Sequence, residues 1–215
     1  MFGATRRSNR RNRRLSCAVE VLEARQLLST TVYVDASATG ANNGTSWANA
    51  YTNLQPALTS ASAGETIDVA QGTYAGPFQL LDGVGIYGGF AGNQASNPNA
   101  RNVSLYPTIL SGNNVTRVVV ASNTNSTAVL DGVTITGGLA GSTGGGGLYE
   151  SAGGPTINNC IFTDNASDDG GGAMYNSASS PTITNCTFLD NTVTNGQFGG
   201  GGMCNLNGSS PIIVN

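Results

Sequence analysis

From residue 130 onward, short apolar runs alternate with polar and glycine-rich turns, and the alternation itself repeats. Pro155-Thr-Ile-Asn-Asn-Cys-Ile-Phe-Thr-Asp-Asn165 returns as Pro181-Thr-Ile-Thr-Asn-Cys-Thr-Phe-Leu-Asp-Asn191, 26 positions on. A third copy begins 30 residues later, at Pro211-Ile-Ile-Val-Asn215, where the sequence stops. Leu130-Asp-Gly-Val-Thr-Ile-Thr-Gly-Gly138 is a divergent earlier copy, with Leu130, Val133 and Ile135 in the places of Ile157, Cys160 and Phe162. The glycine segments 144–149, 170–175 and 199–204 repeat as well, 26 and 29 positions apart, with Leu148, Met174 and Met203 at matching places after the glycines.

A unit of this kind cannot fold alone. Its strands of three to five residues bury a few side chains, worth about 1.5–3 kcal/mol each, against ~1–2 kcal/mol of backbone entropy for every residue ordered. Stacking on neighbours resolves the deficit, so the period predicts an all-β coil whose successive turns pair as parallel strands about 4.8 Å apart. Ile157 should then lie on Ile183 and Ile213, Cys160 on Cys186, and Phe162 on Phe188. Asn159 and Asn185 fall between two short strands, where a left-handed residue turns the corner. Asn165 and Asn191 are placed to form an amide ladder at another corner.

Two segments stand outside the repeats. Between Ser46 and Ala61, Trp47, Tyr51, Leu54 and Leu58 recur at three- and four-residue steps, which predicts a helix capped by Ser46 or Thr45 that plugs the open N-terminal end of the coil. There is no counterpart after Asn215, so the coil reads as truncated there. Residues 1–30 form a separate basic leader, expected to be poorly ordered, in which Leu15, Val19 and Leu22 keep amphipathic spacing; residues 31–215 form the coil domain.

Composition sharpens this division. The chain is 39% apolar and 10% charged, with 31 glycines, too apolar for a disordered chain and too rich in turn formers for a helical one. Residues 1–29 hold seven of the nine arginines and two of the twelve acids, a net of +5, which leaves the body at −8. An acidic body repels nucleic acid and anionic membrane surfaces, so no nucleic-acid partner is expected. No run reaches the ~20 apolar residues of a membrane span. The chain has neither His nor Lys, which excludes Ser–His–Asp and Cys–His catalysis, His-based metal sites, Lys Schiff bases and Walker-type phosphate loops within this stretch.

Several segments resemble known families. Leu22-Glu-Ala-Arg-Gln-Leu-Leu-Ser29, behind an Arg-rich start, resembles the LExRxLLS-type segment that opens many large secreted bacterial proteins; the resemblance implies export to the cell surface or beyond. Phe162-Thr-Asp-Asn165 and Phe188-Leu-Asp-Asn191 are FxxN motifs, and Gly171-Gly-Ala-Met174 and Gly200-Gly-Gly-Met203 match a GGA-type motif. Together, over residues 130–215, they resemble the repeats of polymorphic outer membrane proteins, which implies a right-handed parallel β-helix used in adhesion. Val32-Tyr-Val-Asp35, Gly64-Glu-Thr-Ile-Asp-Val69, Gly72-Thr-Tyr74, Ile86-Tyr-Gly-Gly-Phe90 and Pro107-Thr-Ile-Leu110 resemble the opening of pectate-lyase-like β-helix proteins.

Asp164, Asp168, Asp169 and Asp190 are the candidate site residues. Thr163-Asp-Asn165 and Asp168-Asp169 superficially resemble the acidic motifs of polygalacturonases, but both lie within one turn here, and that family's catalytic His is missing. Asp164 and Asp190, 26 positions apart, should stack; a Ca²⁺ ion would relieve their repulsion, with Asp168 and Asp169 completing an oxygen shell. Arg101 and Arg117, the body's two arginines, are expected in surface ion pairs. Cys160 and Cys186 are expected inside the coil, as buried thiols or an inter-coil disulfide. The functional expectation is a secreted or cell-surface β-helix without enzymatic activity, serving adhesion, display or the envelope, with polysaccharide as a ligand class. The alternative is the N-terminal part of a polysaccharide lyase or glycoside hydrolase.

Overall fold

The computed structural model describes residues 30–196 and 199–215. The leader expected over residues 1–30 lies, apart from Thr30, outside the described residues.

Within them the chain is a parallel β-solenoid. Seven strands form the longest sheet, in the order Thr31–Val34, Thr66–Ala70, Gly85–Phe90, Val129–Asp131, Thr156–Asn158, Thr182–Thr184 and Ile212–Val214. A second sheet stacks Gly72–Ala75, Thr108–Ser111, Val133–Thr136, Ile161–Thr163 and Thr187–Leu189. A third stacks Phe78–Gln79, Val119–Ser122, Leu148–Gly153, Met174–Ser179 and Met203–Leu206. Three two-residue strands, Leu139–Ala140, Ala166–Ser167 and Thr192–Val193, make a short fourth side. Every strand pair is parallel, and the chain visits the sheets in the same order on each coil. Consecutive parallel strands linked by one circuit favour right-handed winding.

Alternation along each strand sends every second side chain inward, and register then lines up like with like. Ile67, Ile86, Leu130, Ile157 and Ile183 form one ladder, and Tyr74, Leu110, Ile135, Phe162 and Phe188 a second. Phe78, Val119, Leu148, Met174 and Met203 form the third. All but the last-coil members Phe188 and Met203 are buried. The Phe162 and Phe188 rings are 4.9 Å apart and nearly coplanar in orientation, at 4°, as the 26-residue repeat predicts.

The corners follow the sequence as well. Asn159 and Asn185 both adopt φ 52°. Asn165 is fully buried; its side-chain nitrogen donates to the Ile135 carbonyl at 2.9 Å, its side-chain oxygen accepts from Gly138 N at 2.9 Å, and its own backbone N–H donates to Asn191 Oδ1 at 3.1 Å. The expected amide ladder is therefore present.

The N-terminal helix differs from expectation. It covers only Leu54–Ser60, capped by Asn53, whose side chain accepts from Gln55 N at 2.9 Å. Pro56 explains the shortening: in a helix begun near Ser46 it would sit in the interior and cost a hydrogen bond, whereas here it falls in the first turn, where no partner is lost. Ser46 instead closes a turn on Asn49. The helix buries Leu54, Ala57 and Leu58 against the first coil, so its plugging position agrees with the sequence reading.

Candidate functional site

Outward positions stack as strictly as inward ones. Because Ile67, Ile86 and Leu130 point in, their neighbours point out, and register brings Tyr33, Asp68, Tyr87, Asp131 and Asn158 into one column on the seven-stranded sheet. A long connection, residues 91–107, folds back over this column. Arg101 is its anchor: Nε donates to the Gly88 carbonyl at 2.9 Å, and Nη2 forms an ion pair with Asp131. The guanidinium also lies 5.6 Å from the ring centroids of Tyr87 and of Phe90. Asp131 uses its other oxygen to accept from Asn159 Nδ2 at 3.2 Å. Beside this cluster Trp47 packs between Tyr33 and Phe90, at 4.8 and 5.6 Å, and its indole N–H donates to Asn99 Oδ1 at 2.7 Å.

Asp68 is the chemically distinctive member. Burial raises its carboxyl to about 6, against the opposing pull of Arg101. The column therefore carries an acid that takes up its proton more readily than usual and, two rungs on, Asp131 paired with Arg101, with the Tyr87 ring between them. Two rungs correspond to about 9–10 Å along the axis, the upper end of the separation at which an acid and a base work on opposite sides of a glycosidic bond.

The four acids singled out in the sequence lie elsewhere and form two pairs. Asp164 and Asp190 occupy equivalent left-handed corners, φ 54° and 52°, one coil apart, and Thr163 Oγ1 donates to Asp164 at 2.9 Å. Asp168 and Asp169 line a surface hollow with Ser142 and Asn195, contributed by the coils before and after. Thr194 Oγ1 donates to Asp168 at 3.0 Å, while Asp169 Oδ1 is buried without a hydrogen-bond partner. Neither Asp164 nor Asp190 lines that hollow. Among the described residues, no three His, Cys, Asp or Glu side chains converge as metal ligands.

The remaining expectations divide. Cys160 and Cys186 point inward as thiols, each with Sγ directed at carbonyls of its own and the preceding coil. Burial pushes the Cys160 thiol well up, so it is unreactive. Arg101 makes an ion pair as expected, but with the buried Asp131 and not at the surface. Arg117 does not: its guanidinium lies 4.8 Å from the Tyr149 ring centroid and bonds the Gly144 carbonyl and the Thr143 hydroxyl. Tyr149 in turn stacks on Tyr175, at 5.6 Å and 9°, and Cys204 follows Tyr175 in register.

Two features escaped the sequence reading. The Asp68–Asp131 column could have been found by treating Ile67, Ile86 and Leu130 as one ladder and reading the residue after each. Glu150 lies inside the coil, fully buried, at the place that Asn176 and Asn205 hold on the next two coils. The alternation Leu148-Tyr-Glu150 carried that signal.

Compared with protein-family models, with curated proteins and with solved structures, the chain matches none. No helix among the described residues is long and apolar enough to cross a membrane.

Proposed function

We propose that this chain is an exported, extracellular or cell-surface β-solenoid that works without enzymatic activity, as a scaffold for adhesion or display whose ligand class is polysaccharide. The observation that carries this reading is the regular outward rows of hydroxyl and amide groups. Ser122, Ser151 and Ser177 follow one another on one face, with Ser151 Oγ bonded to Ser122 Oγ at 3.2 Å. Thr156 and Thr182, and Asn158 and Thr184, do so on another. A linear polymer laid along the axis meets the same uncharged donors and acceptors on every coil, and weak contacts repeated on one rigid backbone add. The acidic body and the LExRxLLS-type segment fit an exported protein of this kind.

The test is retention of the chain on a panel of insoluble and gel-embedded polysaccharides. Lysine at Ser151 and Ser177 should weaken binding at least tenfold while leaving the fold intact by circular dichroism. Retention on none of the panel, or retention indifferent to these substitutions, overturns the scaffold reading. We also propose the Asp168–Asp169 hollow as the place where Ca²⁺ would bind, since Ser142 and Asn195 add oxygen donors there.

A second reading, part of a polysaccharide lyase or glycoside hydrolase, draws support from Asp68 and Asp131 on one outward column with Arg101 beside them. Incubation with pectin and Ca²⁺, following unsaturated product by absorbance and new reducing ends by assay, separates the two. Product formation abolished by Asp68→Asn favours the enzyme.

A further inference from the structure

Among the described residues Glu150 is the one glutamate buried inside the coil. Glu150, on the inward side of Leu148–Gly153, has no solvent exposure. Register sets it between Ala121 on the coil before and Asn176 on the coil after, and Asn176 is equally buried. Glu150 Oε2 accepts from Ser179 Oγ at 2.8 Å, and Asn176 Nδ2 donates to Asn205 Oδ1 at 2.7 Å. That leaves Glu150 Oε1 and Asn176 Oδ1, both buried and both without a partner. They belong to side chains that are neighbours in register and point the same way. Two orphaned acceptors side by side are costly, each by the desolvation of an unpaired polar group.

One proton removes both defects. We propose that Glu150 is held in the folded chain as a neutral carboxylic acid whose Oε1–H donates to Asn176 Oδ1, making this coil an internal proton-binding site that loosens as pH rises. Groups facing Glu150 from the packed elements are Ala121, Asn176 and Ser179, with Asn205 beyond and with Thr124, whose hydroxyl is also buried without a partner, across Gly153 from Ser179; none is ionisable or charged. No counter-charge is therefore available to a buried carboxylate, which is the situation in which protonation is preferred over ionisation. The carboxyl is accordingly pushed up to about 8, by burial, with the Ser179 bond opposing. The competing arrangement turns both amides over, so that Asn176 donates to an ionised Glu150; it satisfies the atoms but leaves the charge uncompensated.

The sign follows from linkage. Glu150 binds its proton more tightly folded than unfolded, so its contribution to stability is complete below the unfolded value near 4.5 and is lost as pH rises toward about 8. The experiment uses the full chain with glutamate alone ¹³C-labelled. Of the four glutamates, Glu20 and Glu23 lie in the leader and Glu65 is held low by the Thr30 hydroxyl and Ser62 N–H. Infrared spectra at pH 7 should show the carbonyl stretch of one protonated glutamic acid, disappearing as pH is raised through 8. Thermal midpoints of the wild type should fall between pH 5 and 9, and those of Glu150→Gln, whose amide supplies the same donor permanently, should fall less and exceed the wild type at pH 9. A spectrum at pH 7 without a protonated glutamate overturns the proposal, and does so even if the glutamine variant fails to fold. An unchanged pH slope in a folded variant overturns it too.

Discussion

One corner of the solenoid shows how closely residue identity tracks backbone geometry. At the end of the third sheet, register places Asn123, Ala152, Ala178 and Asn207 at equivalent positions. All four are left-handed, with φ 55°, 51°, 50° and 55°. Asparagine tolerates this region, whereas alanine pays about 1–2 kcal/mol for it. Ala152 and Ala178 are exposed, so their methyl groups earn no packing in return. Ala178→Asn should raise stability by roughly 0.5–1 kcal/mol, and Ala152→Asn by a similar amount; urea denaturation of each checks it. Asn165 tests the opposite sense. Its buried amide serves three coils at once, and Asn165→Ala should cost about 2–4 kcal/mol by stranding several buried backbone groups. This residue was legible from sequence because a corner amide recurs at Asn165 and Asn191 with the period of the apolar ladder. Glu150 was passed over for the complementary reason. A carboxylate inside a coil contradicts the rule that charges face water, and that rule outweighed the alternation from Leu148 that gives Glu150 an inward place.

At the scale of elements, the strands that repeat were legible and the connections that do not repeat were not. Ile157, Cys160, Phe162 and Asn165 each recur 26 positions on, and a fixed period converts directly into vertical contact. Residues 91–107 have no second copy, so nothing in the sequence indicated that Arg101 returns to Asp131 on the following coil. Residues 46–52 misled for a different reason. Trp47 and Tyr51 keep helical spacing, but Trp47 is held by Tyr33, Phe90 and Asn99 rather than by a helix. The candidate site was correspondingly less legible than the fold. The acids chosen from the repeats form one corner pair and one pair in a surface hollow, while Asp68 and Asp131, which share a column, come from the less regular half. The anchor carries a testable consequence. Arg101→Met should leave the coil intact yet open the 91–107 connection, raising amide hydrogen exchange across it at least tenfold, at a cost of about 1–2 kcal/mol. It should also raise the Asp68 carboxyl further, because the lost guanidinium is the charge that opposes burial there. Asp68, like Glu150, has a folded value above its unfolded one, so its share of stability is present below pH 4 and lost through about pH 6.

On the scale of the whole molecule a single apolar interior runs the length of the described coil, from Val34 and Leu54 at the first turn to Ile183 and Cys186 near the last. At the first coil the helix Leu54–Ser60 covers that interior.

The stacking of Ile157 on Ile183 also sets an arithmetic for how such a molecule changes size. Removing one whole period, such as residues 159–184, brings Asn185 to the place of Asn159 and leaves every later side chain facing as before. Removing one residue from within a strand instead turns the side chains after it to the other face, whereas a turn absorbs the difference: Leu130, Ile157, Ile183 and Ile213 share one column at intervals of 27, 26 and 30 residues. Length can thus change by whole coils through the strands and by single residues only at the turns. Duplication or loss of a period in the underlying DNA would give longer or shorter rods of unchanged cross-section.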